Sequence, residues 1–191
     1  MKITLFFGSF NPVHIGHLLM VQHVLNHTAQ QEVWFVCTPH NPDKDKKSLL
    51  HAEDRLHLVR LAIADHPQLR VCDIEFYLQA PFYTAKTLMH LKQKYPEHQF
   101  SILMGQDNAV SLPKWQNYEY ILQEFPLFIY PRSIAENLDD HLAATVYFLK
   151  DMPIFQISAS YVREQLKLKK SIRYLVPESV RLYIEKMGFY Q

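Results

Sequence analysis

The chain has 191 residues, of which 48% are hydrophobic and 20% charged, with a formal net charge of +1; a chain of this size fits one domain and buries roughly 70% of the surface its unfolded form exposes. The near-neutral balance excludes a basic field for binding nucleic acid in bulk, so any anionic ligand must be small and locally held. The only cysteines, Cys37 and Cys72, lie inside apolar strand-like runs, which excludes a disulfide scaffold and reads as two reduced core thiols in a reducing compartment.

The opening MKITLFFGSF carries one lysine and an apolar run too short for a secretory segment or a membrane span, so a cytoplasmic protein with no membrane partner is expected. Downstream, short β-branched and aromatic runs alternate with longer segments of helical period, the pattern of βαβ units around a mostly parallel sheet. Strands are expected at Ile3 to Phe7, Glu32 to Thr38, Leu69 to Ile74, Phe100 to Met104, Leu127 to Tyr130 and Val146 to Leu149. Helices are expected at His14 to Thr28, Ala52 to Ala64 and Thr84 to Lys94, with a broken pair from Ser111 to Gln123. After Met152 the pattern is helical only, from Ser158 to Lys167 and from Pro177 to Lys186, closed by Gly188. The expected class is therefore α/β, a Rossmann-like doubly wound sheet with a small helical carboxyl-terminal part. Residues 1–191 are expected to form one domain, with an α/β core over 1–152 and a helical subdomain over 153–191.

Glycine is scarce, with four in the chain against roughly 7% in average proteins. Gly8 and Gly105 each end an expected strand and Gly16 lies in the first turn of the first helix, all on the sheet edge where open α/β folds bind ligands. The stretch GSFNPVHIGH, Gly8 to His17, therefore draws attention. A glycine at the end of a buried strand lets the following backbone turn and present N–H groups to an anion, Pro12 keeps the helix from starting earlier, and the helix amino end favours phosphate. His14 and His17 share one face of that first turn, and Gly16 between them leaves the helix backbone open to a ligand. The spacing is neither the G-x-G-x-x-G dinucleotide fingerprint nor a Walker loop. A strand, turn and helix with two partly exposed histidines is one reading; a shared metal ion is another, for which no third ligand stands at a recognisable spacing; a phosphate cradle with two imidazole donors is the third.

GSFNPVHIGH resembles the H-x-G-H signature of the nucleotidyltransferase superfamily, and Ile157 to Arg163, ISASYVR, is similar to its second signature, I-S-x-[ST]-x-x-R. Further segments, TPHNPDK, FYTAKTL, ILMGQD followed by PKW, and RYLVPESVRLYI, resemble the bacterial nicotinate-nucleotide adenylyltransferases over nearly the whole chain. The resemblance implies transfer of the adenylyl group of ATP to nicotinate mononucleotide, giving nicotinate adenine dinucleotide and pyrophosphate, with magnesium carried by ATP and no protein-built metal site. It implies that His14, His17 and Arg163 are catalytic, and that Gly8, Ser9, Phe10, Gly105, Asp107 and Ser158 complete the ATP site. Asn41, Lys44, Thr84 and Trp115 would bind the mononucleotide, with Lys47 the alternative to Lys44. Four departures from the family pattern stand out: Asn11 in place of aspartate, FYT for SYT, a shortened loop at TPHNPDK, and Pro131-Arg132-Ser133 where the family has R-P-G. Two alternatives remain on sequence. One is a sister adenylyltransferase acting on nicotinamide mononucleotide or pantetheine phosphate; the other is a non-catalytic nucleotide sensor on the same fold.

Overall fold

The structure, a computed structural model, describes residues 1–40, 49–131, 146–149 and 152–191. Six strands form one sheet, β1 (Lys2–Gly8), β2 (Glu32–Cys37), β3 (Leu69–Cys72), β4 (Gln99–Gly105), β5 (Leu127–Tyr130) and β6 (Val146–Phe148). Their order is β3-β2-β1-β4-β5-β6 and every pairing is parallel. That order is the doubly wound one, in which the chain moves outward from β1 in one direction and then, from β4, in the other. Seven helices are described: α1 (Ile15–His27), α2 (Ala52–Ala62), α3 (Thr84–Lys94), α4 (Gln106–Ser111), α5 (Tyr118–Glu124), α6 (Ala159–Lys167) and α7 (Glu178–Met187).

Alternation along the strands sorts the core into two layers. Ile3 and Leu5 of β1, Trp34 and Val36 of β2, and Ile102 and Met104 of β4 face a cluster completed by Leu88 and Leu91 of α3, Leu112 and Ile121. Phe6, Val33, Phe35 and Leu103 point the other way. That second layer contains Val21 and Val24 of α1, Leu58 and Val59 of α2, and also Val162, Leu166, Val180 and Ile184 of the last two helices. The carboxyl-terminal helices thus share apolar burial, the main stabilising term of the fold, with the first half of the chain.

Two boundaries differ notably from the sequence reading. The expected third strand to Ile74 stops at Cys72, because Ile74–Tyr77 turns into a 3-10 helix. The expected broken pair from Ser111 begins earlier, at Gln106 directly after β4; Asp107 and Asn108 are weak helix signals, since short polar side chains compete for backbone partners. The break itself is real: Pro113 sits in a 3-10 turn, Leu112–Lys114, and Asn117 in the left-handed region precedes α5.

Two contacts position the sheet's carboxyl-terminal edge. Ile157, leading into α6, packs on α1 where Gly16 lacks a side chain: a Cβ there would lie 2.5 Å from Ile157 Cγ2 and 3.0 Å from His14 Nδ1. The position a side chain would take at Gly16 is thus filled by protein, while the residue itself still lines the cleft described below. On the other side of the sheet, Glu75 is buried and accepts a hydrogen bond from Thr87 Oγ1 at 2.7 Å, tying the turn after β3 to α3. Burial pushes its carboxyl up to about 7, against the pull of hydrogen bonds from Thr87 and Thr38.

Gly16→Ala is expected to destabilise the protein by about 1–3 kcal/mol through overpacking, and the double variant Gly16→Ala/Ile157→Ala to regain part of that loss in thermal melts. For Glu75 the folded state holds its proton more tightly than the unfolded state, so its contribution to stability is fully present below about pH 4.5 and is lost as pH rises through about 7. Glu75→Gln removes this fall. Melting temperatures of the two proteins should diverge between pH 5 and 8, the variant gaining several degrees on the wild type.

Candidate active site

The two strands that end in glycine, β1 and β4, are neighbours at the point where the strand order reverses, and a cleft of about 520 Å³ opens there. The first β-to-α corner supplies Gly8, Ser9, Phe10, Asn11, His14 and His17 to its walls. Gly105 and Asp107 line it from the end of β4 and the start of α4. Ser158, Ser160 and Arg163 close it from α6 and its cap. All nine residues expected around ATP therefore meet in one cavity, within the range of small-molecule sites.

Phe10 organises the corner. Its backbone takes φ 43°, a left-handed conformation that costs a non-glycine residue energy and persists only when its surroundings hold it. Its buried ring packs edge-on to Phe6 and at an angle to Phe35, with centroids 5.5 and 5.3 Å away. The ring folds back over Gly8, where a Cβ would lie 2.8 Å from Phe10 Cζ. Gly8 is needed for this close approach.

His14 caps α1 and His17 is the third residue of the helix. Their rings stack with centroids 3.6 Å apart and planes 25° from parallel. The His14 backbone N–H donates to His17 Nδ1 at 3.1 Å, half of a capping box made with imidazole. With Nδ1 accepting, the proton of a neutral His17 ring resides on Nε2, which makes that nitrogen a donor. Phe10 meets the His17 ring edge-on at 5.2 Å, and Phe6 lies 5.7 Å away, so the ring is held by apolar neighbours on the sheet side. The helix end offers fewer backbone donors than the sequence suggests: Ile15 N–H bonds Leu175 O at 2.9 Å and His17 N–H bonds His14 O at 3.0 Å. Two of the backbone donors expected at this helix end are thus already engaged within the protein.

Ser158 is the N-cap of α6, its Oγ accepting from Tyr161 N–H at 3.2 Å. A hydroxyl that accepts still has its own proton to donate, so capping and ligand binding are compatible. Arg163 Nη1 donates to the Asn11 carbonyl at 2.7 Å and Nη2 to Ser160 Oγ at 3.2 Å. The guanidinium is thereby fixed at the cleft with donors to spare. Asn11 Oδ1 in turn accepts from Leu50 N–H at 3.2 Å and from Tyr190 Oη at 2.9 Å.

The residues expected at the mononucleotide are more dispersed. Thr84 opens α3 with Tyr83 in the cap position, and half-buried Trp115 follows the 3-10 turn and packs on the apolar layer under α3 to α5. Neither lines the cleft at the first β-to-α corner. Asn41, Lys44, Lys47 and Arg132 lie outside the described residues. Cys37 and Cys72 are unbridged, and burial raises both thiols to about 11, which leaves them protonated and inert as nucleophiles at neutral pH. Among the described residues no cluster of three or more His, Cys, Asp or Glu side chains is placed to hold a metal ion, and no helix is long and apolar enough to cross a membrane.

Sequence reasoning missed several residues of this region. Tyr130 lines the cleft and its Oη accepts from Phe155 N–H at 2.9 Å, holding the approach to α6. Arg55 is 1% exposed behind the corner, and burial lowers its pKa. Nothing in EDRLHLVRLA distinguishes Arg55 from a surface arginine.

Comparison with known proteins agrees with this geometry. Residues 5–165 match the cytidylyltransferase-like family. A Flavobacterium psychrophilum protein named as a probable nicotinate-nucleotide adenylyltransferase is 46% identical over the full length of both chains, and a Bacteroides fragilis protein of the same name is 42% identical over 94% of this chain and 89% of its own. Among solved structures, the Plasmodium falciparum nicotinic acid mononucleotide adenylyltransferase complexed with NaAD has the same fold, with a TM-score of 0.81 at 20% identity, covering 99% of this chain and 97% of that one. Two signatures meeting in one cleft, on this sheet order and with relatives alike from end to end, make the chain a member of the nicotinate-nucleotide adenylyltransferases within the cytidylyltransferase-like family.

Proposed function

We infer that the protein transfers the adenylyl group of ATP to nicotinate mononucleotide, forming nicotinate adenine dinucleotide and pyrophosphate in NAD biosynthesis. The observation that carries this reading is the meeting of His14 and His17 with Ser158 and Arg163 across one cleft, in a chain whose full-length relatives bear that enzyme's name.

The reaction needs no protein nucleophile. The mononucleotide phosphate, a monoester with a second pKa of about 6, is mostly dianionic at neutral pH and attacks the α-phosphorus itself. A bond forms from its oxygen to that phosphorus while the bond to the bridging oxygen of pyrophosphate breaks in line. Catalysis then consists of aligning two polyanions and stabilising charge on the equatorial and leaving oxygens. The His17 Nε2 proton and the stacked His14 ring serve the α-phosphoryl group. Ser158 and Arg163 hold the β- and γ-phosphates from the amino end of α6, where the helix dipole adds to the side chains. Gly8, Ser9 and Phe10 line the junction of the two substrates; Gly105 permits close approach of adenosine and Asp107 accepts from a ribose hydroxyl. Trp115 stacks on the pyridine ring, Thr84 approaches its carboxylate, and Asn41 with Lys44 or Lys47 receives the mononucleotide phosphate.

A divalent ion belongs to this chemistry, and magnesium is the ion proposed. The donor set suits delivery by the nucleotide: the cleft offers histidines, an arginine, hydroxyls and Asp107, whereas magnesium favours oxygen and binds through substrate phosphates and waters. When bound it neutralises phosphate charge. The shared apolar layer supports one working domain, with 153–191 as a subdomain that completes the phosphate site. The two protonated, unbridged thiols are in keeping with a cytoplasmic setting.

His17→Ala removes half of the capping box and is expected to lower the melting temperature by a few degrees while the protein stays folded, and to lower kcat by roughly 10²–10³-fold, the usual cost of one donor to a developing oxyanion; pyrophosphate release measures it, and a folded, active variant removes His17 from the mechanism. With ATP fixed, nicotinate mononucleotide should turn over faster than nicotinamide mononucleotide in the same assay. Faster turnover of the amide refutes the assigned substrate.

A further inference from the structure

Arg55 projects from α2, which packs beneath the sheet's carboxyl-terminal edge, and it is the largest fully buried side chain described. A buried guanidinium ordinarily requires a carboxylate to offset its lost hydration. Here, among the described residues, its hydrogen bonds go to four backbone carbonyls and one sulfur. Nε donates to Leu50 O at 2.9 Å, Nη1 to Ser9 O at 2.6 Å and Thr38 O at 2.9 Å, and Nη2 to Pro39 O. Nη1 also lies 3.9 Å from Cys37 Sγ. These acceptors belong to three separate stretches of chain: the turn after β1, the end of β2 and the approach to α2.

Taking the cleft as the adenylyl-transfer site, we propose that Arg55 is a positioning residue for both substrates, fixing the phosphate turn at Ser9 against the end of β2 at Thr38 and Pro39. The Ser9 carbonyl and the Phe10 N–H belong to one peptide plane and point in opposite directions when that bond is trans. Holding the carbonyl from behind therefore fixes the aim of the Phe10 N–H, at the residue whose left-handed backbone is strained. Leu50 doubles the brace, since its carbonyl accepts from Arg55 while its N–H donates to Asn11 Oδ1. Asn11 then passes the constraint to Arg163 through its own carbonyl. Lysine cannot take this place: its ammonium is a point charge with three donors and lacks the planar fork that reaches acceptors on three stretches at once.

The test compares wild type with Arg55→Lys. Wild type must first release pyrophosphate from ATP and nicotinate mononucleotide; if it does not, the cleft reading fails whatever Arg55 does. Kinetics of Arg55→Lys are then taken at a temperature where circular dichroism shows it fully folded. The expected result is kcat lowered roughly 10- to 100-fold, the penalty for misplacing reacting groups by about an ångström, with KM for ATP and for the mononucleotide both raised. A folded variant with kcat and both KM values within twofold of wild type overturns the proposal, because a stabilising role alone leaves each folded molecule fully active. If Arg55→Lys does not fold, wild type labelled with ¹⁵N-arginine supplies the readout. The Arg55 Nη resonances should shift on adding ATP and, separately, on adding nicotinate mononucleotide, and resonances unmoved by either overturn the proposal.

Discussion

The bond from the Arg163 guanidinium to the Asn11 carbonyl joins residues 152 positions apart in the chain, and the proposed phosphate site exists only when that distance is closed. The first β-to-α corner brings two imidazoles and a strained turn; the carboxyl-terminal helix brings a serine, an arginine and a helix amino end. Neither alone surrounds a triphosphate. What brings them together is ordinary packing. Ile157 fills the space above Gly16, Tyr130 Oη holds Phe155, and Val162, Leu166, Val180 and Ile184 are buried with the first strands in one apolar layer. The polar contacts at Asn11 then fix the register of the two halves, with Tyr190 Oη adding a third hold on the same side chain.

This arrangement suits a reaction whose nucleophile is already ionised. A site that stabilises transferring phosphate needs donors fixed before the substrate arrives, so that no reorganisation is required as charge shifts. The His14 and His17 pair meets that requirement through the helix itself. The backbone N–H of the capping residue occupies one nitrogen of His17, Phe6 and Phe10 confine the ring, and the other nitrogen is a donor by elimination. Strain at Phe10 is tolerated because the ring is buried and the adjoining carbonyls at Ser9 and Asn11 are gripped by two arginines.

Much of this was legible in the amino-acid sequence. The βα alternation indicates a parallel doubly wound sheet, because apolar runs bounded by turn residues leave few other ways to bury both faces. GSFNPVHIGH and ISASYVR point to one site, and the folded chain brings the two together. Contacts that depend on what packs behind a residue were hidden. Gly16 reads locally as an opening for ligand and does line the cleft, yet the place its side chain would take is filled by Ile157, far away in sequence. Arg55 lies in a polar-apolar pattern typical of a surface helix, and its burial follows from three stretches of chain converging on it. Glu75 likewise shows no sign of burial in IEFY. The start of α4 reads too late because Asp107 and Asn108 have weak helical preference, and packing against the sheet outweighs it.

The central claim is that the corner after β1 and the amino end of α6 grip one triphosphate between them. A crystal structure of the protein with a non-hydrolysable ATP analogue measures this directly. The account predicts the α-phosphate within hydrogen-bond distance of His17 Nε2 and the terminal phosphates on Ser158 and Arg163. A nucleotide bound elsewhere, with the cleft between His17 and Arg163 left without phosphate, would contradict it.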